Sequence, residues 1–276
     1  MSKLLASDID GTLLLNKKIH HKSIENIDKF KNDGNLFILS TGRALCELDN
    51  IISKYKLDVD AYVLCNGAFI LDSNLNIIEN YKINASIVYE ISKYALEAKD
   101  FRVSVLDGHT NYILKSKDLL KSRNVFNLNI LKRIIKMLLG KSSTLKLINL
   151  NDLKYNDFNI NIMSICALDK SIEDAEILKN YLNDTFGDYI TAYRNKYFVD
   201  VVFKGCSKAT GIEKVCSKFD LSDNNVYVIG DSWNDLSMFE RYNNSYTFTY
   251  AEEPLQNKAN KVIDSFHYCI DDIMGE

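Results

Sequence analysis

Leu4-Leu5-Ala6-Ser7-Asp8-Ile9-Asp10-Gly11-Thr12 decides the fold. An apolar run at residues 3–8 reads as a short buried strand, and it ends on two carboxylates two positions apart. Carboxylates at the end of a buried strand are costly to desolvate. They need a cation or a chemical role to justify them. An Asp-Gly turn after a strand accounts for the local pattern equally well, so the stretch must be weighed together with the polar clusters downstream of it.

Three such clusters end apolar runs or open helices. Ser40-Thr41-Gly42-Arg43 comes after the strand Leu36–Leu39. Hydroxyl and backbone N–H groups at a helix start can cradle an anion, or simply cap the helix. Lys208 lies in Cys206-Ser207-Lys208-Ala209-Thr210-Gly211, at the start of a helix expected over 207–219. A helix start prefers anions, so this lysine makes sense if it faces a phosphate and a carboxylate; a solvated surface lysine is the bland reading. Gly230-Asp231-Ser232-Trp233-Asn234-Asp235 follows the strand Val226–Ile229. Asp231 can complete a hard oxygen shell for Mg²⁺, Asn234 can hold Lys208 or a phosphate, and Asp235 can orient its neighbours or bind metal through water. Each cluster alone reads as a cap or a turn. Together, the clusters at Asp8, Thr41 and Asp231 end three separate strands of one expected parallel sheet, at the carboxyl edge where such folds bind ligands.

The chemistry these residue types permit is phosphoryl transfer. A carboxylate is ionised at neutral pH and attacks phosphorus without an activating base. Its obstacle is repulsion by the anionic substrate, ~1 kcal/mol at ~4 Å in water and ~4 kcal/mol at an effective dielectric near 20. A divalent ion and a lysine reverse that balance. Asp8, at the strand end, is the natural nucleophile. Asp10 is placed to protonate the leaving oxygen and later to deprotonate the attacking water.

Strand–helix–strand–helix–strand over residues 3–65 implies a parallel sheet with right-handed crossovers. The rhythm changes after residue 80. A helix near 85–99, a hairpin over Phe101–Leu114, a helical stretch to about Gly140, a half-buried strand over 160–165, a helix over 171–185 and a strand pair over 189–203 suggest an inserted α+β unit. After Lys204 the first pattern returns. The expected fold is α/β: a Rossmann-like parallel-sheet core over 1–82 and 195–276, with an α+β domain inserted at 83–194.

The 276 residues carry 46% hydrophobic content, enough for a substantial core, and a formal net charge of −3, which gives no support to a nucleic-acid partner. The six cysteines show no C-x-x-C pair or zinc spacing and read as reduced core thiols. The four histidines show no ligand spacing. With no cleavable apolar leader and no bilayer-length apolar run, a cytoplasmic location is the default expectation. The basic stretch 131–139 reads as an amphipathic helix packed by its apolar face, not as a membrane-surface segment.

The four clusters, D-I-D-G-T, L-S-T-G-R, the lysine of S-K-A-T-G and G-D-S-W-N-D, resemble in order the motifs of the haloacid dehalogenase superfamily. The Asn66-Gly67-Ala68 turn, with an insert of this length, is similar to its Cof-like branch. The resemblance covers nearly the whole chain. It implies a mobile α/β cap, Mg²⁺ held by Asp8, the backbone carbonyl of Asp10 and Asp231, and phosphoryl contacts from Thr41, Gly42, Lys208 and Asn234. Arg43, Asn66, Gly67, Asp235 and Arg194 are further candidates for supporting the site or contacting substrate. Lys208-Ala209 stands where the family often has Lys-Gly, and Trp233 where a small or acidic residue is common. The expectation is a Mg²⁺-dependent phosphatase acting through an aspartyl-phosphate on small phosphorylated metabolites. Sugar phosphates lead; pyridoxal phosphate and flavin mononucleotide stay open, as do a phosphomutase and a non-catalytic metabolite sensor. The protein is expected to be a monomer or weak homodimer, with no nucleic-acid or membrane partner.

Overall fold

The computed structural model describes residues 2–98, 101–115, 145–155 and 158–275. Contacts divide the chain into two compact units, Met1–Arg43 with Glu47–Asn80 and Cys206–Glu276, and Ala44–Cys46 with Tyr81–Gly205.

The first unit is built on an eight-stranded sheet. Its strands are β1 (Leu4–Ser7), β2 (Leu36–Ser40), β3 (Ala61–Leu64), β4 (Phe69–Asp72) and β5 (Ile77–Asn80) from the first half of the chain. After the insertion come β12 (Val226–Ile229), β13 (Asn244–Phe248) and β14 (Lys261–Ile263). The spatial order is β14-β13-β12-β1-β2-β3-β4-β5. Every pairing from β14 through β3 is parallel, and β4 and β5 are added antiparallel at one edge. β1 is buried along its whole length, as a central parallel strand covered on both faces must be. The chain runs outward from β1 through β2 and β3, then restarts beside β1 with β12. That reversal of order creates the crevice at the carboxyl ends of β1, β2 and β12.

Two helices show why the sequence folds as it does here. The helix His21–Asn32 turns Ile27 and Phe30 inward and is capped by His20, whose Nδ1 accepts from Lys22 N. His20 lies against the His21 and His267 rings, so three of the four histidines meet as packing groups at one helix end. The helix Lys208–Phe219 begins with a reciprocal capping box: Thr210 N donates to Ser207 Oγ at 3.1 Å, and Ser207 N donates to Thr210 Oγ1 at 2.9 Å. Ile212, Val215 and Cys216 on this helix pack with Leu4, Ile38, Val63 and Val228 from the sheet. That packing fixes the helix's rotation and carries Lys208, in its first turn, into the interior.

The second unit holds β6 (Phe101–Leu106), β7 (Asn111–Leu114), β8 (Leu145–Ile148), β9 (Ile162–Ala167), β10 (Ile190–Asn195) and β11 (Phe198–Phe203). Their order is β10-β11-β9-β6-β7-β8, antiparallel except for β7 with β8. The helices Ala85–Glu97 and Ile172–Phe186 cover one face, where Ile91, Ala95, Leu178 and Leu182 pack on Val103, Val105, Met163, Ile165, Val199 and Val201.

Several details differ from the sequence reading. β11 pairs along its length with β10 and β9, so residues 195–205 group with the inserted unit, and the return to the first unit falls at Cys206 instead of 195. β9 starts at Ile162, because the buried Asn161 side chain leaves the pattern to donate to the Tyr81 carbonyl at 2.7 Å. β4 and β5 were not expected as strands. The helical stretch to Gly140 and the basic segment 131–139 lie outside the described residues. All six cysteines are free thiols. No helix among the described residues is long and apolar enough to cross a membrane.

Gly67 is a point of close approach in this fold. It sits at φ +91°, and a Cβ there would lie 2.0 Å from the Ser207 carbonyl oxygen. The loop after β3 thereby touches the backbone that starts the Lys208 helix. Gly34 has a similar φ of +81° but nothing within 4 Å of its would-be Cβ. Gly34→Ala should therefore cost only the left-handed strain, ~1–2 kcal/mol, and Gly67→Ala should cost distinctly more. Urea midpoints of the two variants decide it; equal shifts would mean the loop contact is not tight.

Candidate active site

Asp8, Thr41 and Asp231 each stand one or two residues beyond a strand of the first unit, and main-chain hydrogen bonds carry the sheet into them. Asp8 N donates to the Ile229 carbonyl at 3.0 Å, Thr41 N to the Val63 carbonyl at 2.9 Å, and Gly230 N to the Tyr246 carbonyl at 3.2 Å. The three strand ends are thus fixed relative to one another by the same ladder that holds the core.

Lys208 is wholly buried, at 0% exposure, between two carboxylates. Its Nζ donates to Asp8 Oδ1 at 2.6 Å and to Asp235 Oδ1 at 2.5 Å. Asp235 takes the lysine, and Asn234 instead donates to Asn66 Oδ1 at 3.2 Å. Asp235 is held by its own turn: its Oδ2 accepts from Asp231 N at 3.0 Å and from Ser232 N at 2.9 Å. Asp231 Oδ1 accepts from Thr12 Oγ1 at 3.0 Å. Asn66 is tied back to the second cluster, its N–H donating to the Thr41 carbonyl at 3.0 Å. Thr41 is buried and Gly42 half-buried beside it.

Asp8, Asp231 and Asp235 each present a carboxylate oxygen within 4.8 Å of the others. Three buried carboxylates therefore stand together against one buried ammonium, which contacts two of them, Asp8 and Asp235. Burial drives the Asp8 carboxyl up to about 7; Lys208 pulls it down, and the neighbouring Asp235 and Asp10 push it up. Burial likewise raises Asp235. Burial works against the Lys208 charge, but Asp235 and Asp8 outweigh it and hold the lysine above its ordinary value. The site carries an excess of negative charge in a poorly solvated place. A small, hard divalent cation fits that donor set: it takes oxygen ligands, and its charge balances the surplus. The backbone carbonyl of Asp10 and the side chains of Asp8 and Asp231, implied by the family motif, belong to this region; the Asp10 side chain itself is engaged elsewhere.

Asp10 is paired with Arg43. The guanidinium grips both carboxylate oxygens, Nε to Oδ2 at 2.5 Å and Nη2 to Oδ1 at 2.6 Å, and its Nη1 donates to the Glu47 carbonyl at 3.0 Å. Arg43 N donates to Thr41 Oγ1 at 3.2 Å. Gly11, next in the loop, has φ +96°, and a Cβ there would lie 2.2 Å from Asp231 Oδ2; only a glycine lets the two loops meet. Two partners in this region were not singled out from the sequence. Thr12 lies inside the first motif and reads there as an ordinary turn residue. Tyr250 donates its hydroxyl to the Gly11 carbonyl at 2.7 Å and stacks on Phe248 at 4.8 Å. Nothing near Tyr250 in the sequence marks it. Trp233 donates Nε1–H to Glu252 Oε2 at 2.6 Å, so its bulk is turned to the partly exposed rim of the core.

Arg194 belongs to the inserted unit. It lies on β10, where Nε donates to Glu176 Oε2 at 2.9 Å and Nη1 to the Lys196 carbonyl at 3.3 Å. It is nearly buried in that setting. The other candidate residues all lie in the first unit.

Residues 5–267 match the family described as haloacid dehalogenase-like hydrolase. Among curated proteins, the chain is 24% identical over 274 residues to the phosphatase YwpJ of Bacillus subtilis, covering 94% of each. It is 24% identical over 265 residues to the 5-amino-6-(5-phospho-D-ribitylamino)uracil phosphatase YcsE of the same organism, covering 95% of this chain and 90% of that one. Among solved structures, its fold is similar to that of the HAD subclass IIB sugar phosphatase BT4131, with a TM-score of 0.77 at 19% identity, covering 99% of this chain and 98% of the other. With the match running across almost its full length, and three strand-end clusters meeting Lys208 in one site, the chain belongs to the haloacid dehalogenase-like hydrolase family.

Proposed function

We propose that this phosphatase hydrolyses small phosphorylated metabolites, sugar phosphates foremost, in a Mg²⁺-dependent reaction with Asp8 as nucleophile. The observation that carries the reading is the wholly buried Lys208 ammonium bridging Asp8 and Asp235, with Asp231 alongside. The apolar core cluster includes none of these four groups, and that arrangement is not part of its packing. It costs desolvation of four charged groups, and a phosphoryl-transfer site uses every one of them.

In this reading an Asp8 carboxylate oxygen attacks phosphorus. The ester P–O bond breaks, and the leaving oxygen takes its proton from Asp10, which enters this step as the carboxylic acid and leaves it as the carboxylate. Water then attacks the phosphorus of the aspartyl-phosphate, giving its proton to Asp10. The bond between phosphorus and the Asp8 oxygen breaks, inorganic phosphate leaves, and Asp8 is regenerated. Lys208 holds Asp8 in place and offsets the charge on the transferring group; Asp235 fixes Lys208. Thr41, Gly42 and Asn234 bind phosphoryl oxygens. Asp8, Asp231 and the Asp10 carbonyl would hold Mg²⁺, which when bound supplies Lewis-acid neutralisation of the phosphoryl charge. Asn66 and Gly67 support this set through Asn234 and the start of the Lys208 helix. The relatives' names support the substrate class, since one acts on a phosphorylated ribityl compound and one similar structure is a sugar phosphatase. Arg194, held by Glu176 within the inserted unit, is assigned no contact with substrate.

A phosphate-release screen over a metabolite panel, with Mg²⁺ and with chelator, tests the reading directly. Release from sugar phosphates that is lost on chelation is expected; chelator-resistant release would remove the metal. Trp233 is the one tryptophan of the chain and stands between Asp231 and Asn234. Mg²⁺ should shift its emission in the parent protein and leave it unchanged in Asp231→Asn. An identical response in both proteins would take Asp231 out of the metal site.

Asp8→Asn should lower turnover by more than ~10³-fold, since the amide is no nucleophile. The same variant should be more stable than the parent in chelator. Asp8 titrates near 3.8 when unfolded and is pushed to about 7 when folded, so the folded parent binds the proton more tightly. Its stability falls as pH rises through that interval and the loss is complete above it. Melting temperatures at pH 5.5 and pH 8 should therefore favour Asp8→Asn more at the higher pH. A pH-independent difference would contradict the assigned burial of the charge.

A further inference from the structure

The Asp10 side chain is half-exposed, at 48%, on a loop, yet both of its oxygens are engaged. An exposed carboxylate on a loop has rotamer freedom, and a proton donor without a fixed direction is a poor one. Arg43 removes that freedom. Its Nε and Nη2 form two parallel hydrogen bonds to Asp10, and Nη1 is anchored on the Glu47 carbonyl. The Arg43 main chain is fixed as well, by N–H to Thr41 Oγ1 and by its carbonyl accepting from Cys65 N at 3.0 Å. The fork is therefore mounted on the sheet, with the loop held on its other side by the Tyr250 hydroxyl on the Gly11 carbonyl. A carboxylate has about four lone-pair positions, and the fork occupies two. Each oxygen keeps one free, so the clamp directs the group without using it up.

We propose that Arg43 is a positioning residue that sets the direction of Asp10 for proton transfer, a role that rests on the reading of Asp8 and Asp10 given above. The guanidinium fork does this through geometry, not charge alone. It touches Asp10, not the reacting phosphorus. Its loss should be felt where the leaving oxygen needs a proton most, in alkyl esters, and little where the leaving group departs as a stable phenolate.

The test compares kcat/KM for the best alkyl phosphate of the panel with that for p-nitrophenyl phosphate. Arg43→Ala should lower the alkyl value by ~100-fold and the aryl value by less than ~5-fold, the scale of a general acid put out of line. Arg43→Lys should resemble Arg43→Ala, because an ammonium cannot fork both oxygens. In an Asp10→Asn background the Arg43→Ala change should cost less than ~2-fold more, since the residue acts through Asp10. Equal losses on both esters would make Arg43 a phosphoryl-binding or purely structural group and overturn the proposal. Full recovery by lysine, no loss at all, or additive losses in the double variant would overturn it too. If Arg43→Ala does not fold by its thermal melt, Arg43→Lys and its Asp10→Asn double carry the same comparison. Failure of the underlying reading looks different: the parent would release no phosphate, or Asp8→Asn would retain turnover.

Discussion

A single ammonium, Lys208 Nζ, holds together parts of the chain 27 and 200 positions away. Its place is unusual for a lysine, wholly shielded from water at the start of a helix whose dipole opposes it. The opposing terms are large and local. Burial disfavours the charge, and two carboxylates at hydrogen-bond distance favour it more. Because a buried ion pair often only breaks even against apolar packing, this one is poor evidence for stability. It is better evidence of a site kept for its chemistry, in which each member is aimed by backbone that other interactions have already fixed.

That aiming is layered. The Ser207–Thr210 capping box and the apolar face of Ile212, Val215 and Cys216 fix the helix, and so the height and direction of Lys208. The turn after β12 folds Asp235 back onto the amides of Asp231 and Ser232, so the anchor of Lys208 and the carboxylate of Asp231 come from one rigid turn. Thr12 joins that turn to the first loop, and Gly11 lets the two approach. A displacement of β12 relative to β1 would move all of them together. The parallel register Ser7↔Ile229 is therefore as much a part of the site as any side chain in it.

Much of this was legible in the sequence because two kinds of signal coincided. Apolar runs such as Leu36–Leu39 and Val226–Ile229 mark buried strands, and polar clusters at their ends mark the edge where ligands bind. What escaped was carried by relations that sequence spacing does not encode. The Asp10–Arg43 fork joins two motifs that lie 33 positions apart. Tyr250 acts through one hydroxyl and a stack on Phe248. β4 and β5 are short strands at the sheet edge; β5 is largely exposed, and an Asp72-centred turn joins the pair, with Oδ1 accepting from Asn74 N and Asn76 N. Such a turn reads as a loop. The second-unit boundary slipped by about ten residues because β11 looks like any apolar strand. Only its pairing with β10 and β9 says which sheet owns it.

The same charges that make the pocket useful make it expensive, and the cost is unevenly spread. When Asp10 is ionised, it and Arg43 form a neutral pair near the surface, where water screens it and little is lost. Asp8, Asp231, Asp235 and Lys208 lie deep, and they do not balance. An unbalanced interior cluster is relieved by a proton, as the raised Asp8 carboxyl shows, or by added positive charge. On the proposed reading a divalent cation would supply that charge. On that reading an incoming phosphoryl group would add negative charge beside Lys208 and the residues that would hold the cation, so little reorganisation would be needed at the moment of transfer. On the same reading the outer pair handles a proton while the inner set handles charge.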